Sequence, residues 1–158
     1  MKKILMILFL VFTSSFPVKA EDMQKYLKDT RTLVQEGKYQ EALDRFLWFH
    51  DHALEHQPSM YAVRLSYALE DWKRLGDLYP PALIAMKKTR DDKSGIIAEG
   101  KGNRNLFVDV TALNKILCDN NKTVELFRKL DQDQPELAKQ CWNTAEKEVI
   151  KAKAYDLA

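Results

Sequence analysis

All three histidines of the chain, His50, His52 and His56, fall within seven residues. Residues four apart share a helical face, so His52 and His56 could hold one Zn²⁺ between them, with Glu55 placed to take a proton from a metal-bound water. Such a hydrolase needs a third ligand from elsewhere, for which Glu70, Glu99 and Glu125 are equally eligible. His50 points roughly opposite to His56 on a helix, so the three rings do not form one ligand set.

The order His52-Ala53-Leu54-Glu55-His56 resembles the zinc signature of metallopeptidases of the insulin-degrading type. That resemblance implies zinc-dependent hydrolysis with His52 and His56 as metal ligands. Two features weigh against it: the peptidase fold needs a domain longer than this chain, and His56 lies seven residues after Phe49 and fourteen after Ala42, on the stripe that packs the helix. Zinc hydrolysis is therefore the alternative, and the expectation is a protein with no cofactor and no catalytic residue.

Other reactive groups are few. Cys118 and Cys141, the only cysteines, form a candidate disulfide if the chain reaches an oxidising compartment. The bridge would close a loop of about 23 residues and contribute on the order of 3 kcal/mol. Cys118 ends one helix while Cys141 sits inside another, and the two must approach to roughly 6 Å between Cα atoms. Two thiols packed as small apolar groups beside Trp142 are the other outcome. No Cys-x-x-Cys, glycine-elbow serine or phosphate-cradling glycine loop is present. Asn121-Lys122-Thr123 is formally a glycosylation acceptor.

The N-terminus reads as an export signal. Lys2 and Lys3 precede the apolar run from Ile4 to Phe12, and Val18-Lys19-Ala20 suits signal-peptidase cleavage after Ala20. The apolar run is shorter than the roughly 20 residues that span a bilayer, so no stable membrane anchor is expected after cleavage and the destination is periplasmic or secreted. The formal charge of the whole chain is +2. Losing residues 1–20 removes three lysines and no acid, which turns it to −1. Lysines and arginines scattered among acids at that charge exclude a nucleic-acid partner.

About 138 residues remain for residues 21–158, enough for one domain with a modest core. Five glycines and five prolines, against abundant Leu, Ala, Glu and Lys, predict an all-α fold. Helical periodicity places a first helix from Asp22 to Glu36, ended by Gly37, and a second from Tyr39 to about Glu55. The third runs from Met60, capped by Ser59, to Leu75 and is stopped by Gly76. A fourth starts at Pro80-Pro81 and ends near Thr89. A glycine-rich loop follows over about residues 90–103. Three more helices cover Asn105 to Leu117, Thr123 to Leu130, and Glu136 to about Tyr155, the last capped by Asp133, for about seven helices in all.

Three junctions repeat: around Gly37, around Gly76 and around Cys118-Asp119, each followed by an inward small or β-branched residue. These are Ala42, Ala82 and Val124, spaced 40 and 42 residues apart. The first junction resembles the second half of a tetratricopeptide repeat (TPR), through Gly37, Tyr39, Ala42 and Phe46, with Leu33 a weaker match upstream; residues 33–46 carry the likeness. Pro58 comes later than that pattern has it, Phe49 replaces a small residue, and the third unit lacks the glycine. The resemblance implies antiparallel helix pairs stacked as a short TPR-like α-solenoid, a scaffold that binds a protein or peptide in its concave face.

Trp48, Phe49, Tyr61, Tyr67, Trp72 and Tyr79 concentrate aromatic surface in the first two units. Most aromatics at helical spacing build core. Trp48 and Tyr67 lie off the main stripes and, with Trp72, are the candidate partner-binding residues of a non-catalytic protein; a carrier for an apolar small ligand is a further alternative.

Overall fold

A computed structural model describes residues 22–157 of the chain. Eight α-helices follow one another: α1 (Met23–Gln35), α2 (Tyr39–His56), α3 (Tyr61–Arg64), α4 (Tyr67–Leu78), α5 (Pro80–Ala98), α6 (Arg104–Ile116), α7 (Asn120–Asp133) and α8 (Pro135–Lys151). Short 3-10 turns lie at Pro58–Met60 and Tyr155–Leu157. No strand occurs among the described residues, and the fold is all-α. The export signal lies outside the described residues.

The local chemistry of the chain sets most boundaries. Asp22 caps α1, its Oδ1 accepting from the amides of Gln24 at 2.9 Å and Lys25 at 3.4 Å, and Asn103 caps α6 through the amide of Leu106. Pro80 and Pro135 open α5 and α8, where a missing N–H leaves no helical acceptor wanting. At the end of α1 the amides of Gly37 and Lys38 return to the carbonyls of Val34 and Leu33, with Gly37 at φ 75°, the left-handed close of a Schellman motif. The end of α6 repeats these bonds, from Cys118 to Lys115 and from Asp119 to Asn114, but places Cys118 at φ 59°. A side chain there opposes the left-handed conformation. Cys118→Gly should therefore raise stability by about 1 kcal/mol, read as a higher urea midpoint with an unchanged m-value; a lower midpoint would show that the thiol contributes contacts outweighing the backbone strain.

Five expectations about boundaries are corrected. The third helix is broken: Leu65 and Ser66 form a turn, the Ser66 hydroxyl donates to the Ala62 carbonyl at 2.7 Å, and Ser66 leaves helical backbone at φ −130°, ψ −94°. Ser59 lies inside the 3-10 turn and not at a cap. Gly76 does not stop α4; a Cβ at this position would lie 3.0 Å from that of Leu83, so the glycine lets α4 and α5 approach closely. The glycine-rich loop shrinks to residues 99–103, because α5 continues to Ala98. Arg90 and Ile97, both buried, anchor that extension, and the Ser94 hydroxyl bonds back to the Arg90 carbonyl at 2.8 Å. Asp133 ends α7, leaving Gln134 to join it to α8 while its Nε2 donates to the Ile97 carbonyl at 2.9 Å.

Helices adjacent in sequence pack side by side, α1 on α2, α4 on α5, α5 on α6 and α7 on α8, while α2 also reaches α4 and α6 reaches α8. One core gathers Met23, Leu27, Phe46, Phe49, Trp72 and Leu75 from the first half, and a second gathers Ile97, Phe107, Phe127, Leu130 and Val149 from the second. Ala42, Ala82 and Val124 are all buried near the starts of α2, α5 and α7. Polar bonds tie the halves together. Arg90 of α5 donates to Asn114 at 3.0 Å and to Asp119 at 3.1 Å, and Asn114 donates on to the Thr123 hydroxyl at 3.0 Å.

Candidate functional site

Where α1 runs past α3 and α4 the helices leave an open groove of about 690 Å³. Its floor is Leu27, Met60 and Val63; Lys25, Lys28 and Arg31 form the α1 wall, and Tyr67 stands on the other. Tyr67 is 65% exposed, because the turn at residues 65–66 starts α4 with this residue facing outward while Ala68 and Leu69 face the core. Arg31 also borders a second hollow of about 230 Å³, lined by Val34, Phe46, Asp71 and Arg74. Between the two, Asp71 accepts from Arg31 at 2.6 Å and from Arg74 at 2.8 Å.

The three candidate partner-binding residues separate. Tyr67 lines the groove. Trp72 does not: it is 1% exposed, its Nε1 donates to the Ala82 carbonyl at 3.0 Å, and its place among the candidate binding residues is withdrawn. The i, i+4 stripe that carried it is the core face of α4. Trp48 is half-buried, its ring 5.0 Å from Tyr26, 5.4 Å from His52 and 5.2 Å from His56. It borders none of the described hollows.

That stack also fixes the surroundings of the histidine motif. His52 Nδ1 faces both oxygens of Glu55 at 3.3 Å. The carboxylates eligible as a third ligand are engaged elsewhere, Glu70 with Arg74 at 3.7 Å and Glu99 with Lys101 at 2.9 Å, while Glu125 borders a hollow between α5 and α7. Among the described residues no group of three or more His, Cys, Asp or Glu side chains is arranged to hold a metal ion. Cys118 and Cys141 are free thiols, the first exposed and the second buried. Burial pushes the Cys141 thiol up to about 11, with the nearby Arg104 charge acting against it.

His50, the third histidine, belongs to a different constellation. It is 2% exposed and lies where α2, α3, α5 and α6 meet. Arg64 donates through Nη1 to the His50 carbonyl at 2.8 Å and to Asp109 at 3.1 Å, and through Nη2 to the other Asp109 oxygen. Lys93 reaches Asp109 and Asp51, each at 3.3 Å. His50 Nε2 is 3.9 Å from Asp109, outside hydrogen-bond range, and neither ring nitrogen has a hydrogen-bond partner. Burial, then the charges of Lys93 and Arg64, lower the His50 pKa to about 4, with Asp109 and Asp51 opposing. Burial by itself would raise the Asp109 carboxyl, but the Arg64 hydrogen bond and charge hold it below the usual carboxylate value.

Neither the cluster nor the groove wall is apparent from local motifs. The cluster joins residues as far apart in sequence as His50 and Asp109; its one local signal is Asp109 inside the apolar run Phe107-Val108-Asp109-Val110. The groove's signal is the three-residue spacing of Lys25, Lys28 and Arg31, which puts the cations along one side of α1. No protein-family model matches the chain, and no curated protein or solved structure matches it either.

Proposed function

We propose that the chain is an exported, non-catalytic TPR-like scaffold that holds a protein or peptide partner in the groove between α1 and α4. The groove carries this reading: an apolar floor open to solvent, an exposed tyrosine on one wall and cations on the other combine area for burial with polar groups that orient a ligand. The hairpins α1/α2, α4/α5 and α6/α7, each with a buried Ala42, Ala82 or Val124 just past its turn, support the repeat. Export accords with the N-terminal signal, and no described helix is long and apolar enough to cross a membrane.

Photo-crosslinking in the native host tests both parts. A benzophenone side chain at position 67 or 28 should give one discrete adduct, on a chain whose mass begins at Glu21. Positions 84 and 150, exposed but outside the groove, should give none. Equal adduct formation at all four positions would remove the groove as the site, and an unprocessed cytoplasmic chain would remove export.

A further inference from the structure

The chain turns back on itself after α8. The amides of Lys153 and Ala154 return to the carbonyls of Ile150 and Val149, with Lys153 at φ 56°, so a residue with a side chain holds the left-handed position that favours glycine. Beyond this pivot the 3-10 turn Tyr155–Leu157 reaches a hollow of about 300 Å³ between α7 and α8. Leu157 forms part of its wall with Phe127, Ala138 and Trp142, while Asp131 and Lys139 border it. Asp156 ties the turn to α7: its two carboxylate oxygens accept from the two Nη atoms of Arg128, from Nη2 at 3.3 Å.

These attachments are weaker than those of the core. Arg128 and Asp156 are 42% and 61% exposed, so their pair holds loosely and is screened by salt. Ala154 is buried but brings only a methyl group, Leu157 is half-buried, and Tyr155 faces water. Within the turn the Leu157 amide makes a single backbone bond, to Ala154. Release also frees Lys153 from the left-handed conformation. A segment held in this way opens far more often than the helices it rests on.

We infer that Tyr155–Leu157 is a releasable strap, hinged at Lys153 and fastened by Arg128 and Asp156, that gates the hollow between α7 and α8. With the strap down, Leu157 closes one side of the hollow. With it up, Phe127, Ala138 and Trp142 line an open apolar cleft, which takes an aromatic or aliphatic group in place of the leucine.

Fluorine NMR of the chain labelled with 5-fluorotryptophan reads the strap, because three tryptophans give three signals and Trp142→Phe assigns the one at the hollow. At about 50 mM salt, Arg128→Glu should move the Trp142 signal, and the parent should approach the same position as salt rises to about 500 mM. Binding of the neutral apolar dye Nile red should rise about threefold in Arg128→Glu. Exchanging the charges, Arg128→Glu with Asp156→Arg, should return both readings to those of the parent. Leu157→Asp should open the hollow at every salt concentration. Unmoved Trp48 and Trp72 signals confirm that the fold is intact in each variant. A Trp142 signal indifferent to Arg128→Glu, or one that the charge exchange fails to restore, would overturn the strap. A signal that moves with no gain in dye binding would overturn the gated cleft.

Discussion

Asp109→Asn should lower the stability of the fold by about 3–5 kcal/mol, the usual consequence of removing one partner from a buried ion pair. Asp109 takes two hydrogen bonds from Arg64 and a charge contact from Lys93. An asparagine keeps the shape, but its amide turns at least one donor toward the guanidinium and leaves the buried Arg64 facing a neutral group, while the half-buried Lys93 keeps Asp51. Arg64 cannot withdraw to water, since it also holds the His50 carbonyl between α2 and α3. The expected observation is a large fall in the urea midpoint at neutral pH. Pairing Arg64→Met with Asp109→Leu should recover most of the loss, because well-packed apolar groups often replace a buried pair without penalty. A change below about 1 kcal/mol in the single variant would mean that the pair behaves as a solvated surface bridge.

This joint shows why the fold was more legible in the sequence than the sites. Helix formation follows local rules, so periodicity, the Schellman close at Gly37 and the prolines at positions 80 and 135 placed most helices near where they stand. The same rules misread residues 90–103. Gly95 and the Asp91-Asp92-Lys93 run look like a loop, and a helical glycine is unfavourable by roughly 1 kcal/mol. Burial of Ile97 and the bonds of Arg90 to Asn114 and Asp119 outweigh that, and none of these partners is local. Extending α5 is also what carries Lys93 to Asp109.

The aromatic residues repeat the lesson at the candidate site. Trp72 and Tyr67 lie five positions apart on one helix, and which faces water depends on where the helix starts. At about 100° per residue, five positions set the two about 140° apart around the axis, so when one faces the core the other faces away from it. The turn at residues 65–66 sends Trp72 into the core and Tyr67 to the groove. The turn in turn accompanies the burial of Arg64, whose partners lie on α2 and α6, so the orientation of an exposed tyrosine is set by a charge pair on distant segments.

The same joint should make the fold acid-sensitive well above the range in which carboxylates titrate. His50 has a pKa near 6.5 in an unfolded chain and about 4 in the fold. Between these values the unfolded chain binds a proton that the native one refuses, so stability must fall as pH falls across this window and be level above it. A displacement of that size corresponds to about 3 kcal/mol lost between pH 6.5 and pH 4. Asp109 does not mask the effect: its folded pKa lies below the ordinary carboxylate value, so its own contribution disappears only at lower pH. Protonation would add a buried cation beside the buried Arg64 and the half-buried Lys93, with Asp109 and Asp51 the only anions in the cluster. Because neither ring nitrogen has a partner, His50→Leu sacrifices no hydrogen bond of the side chain and keeps the carbonyl that Arg64 holds. Urea titrations at several pH values should therefore give the parent a slope between about pH 4 and 6.5, and His50→Leu a nearly level line of equal or higher stability at pH 7. A parent profile that is flat over this range, or a slope that survives in His50→Leu, would show that the imidazole has access to water or to a proton acceptor and that the joint is not the source of acid sensitivity.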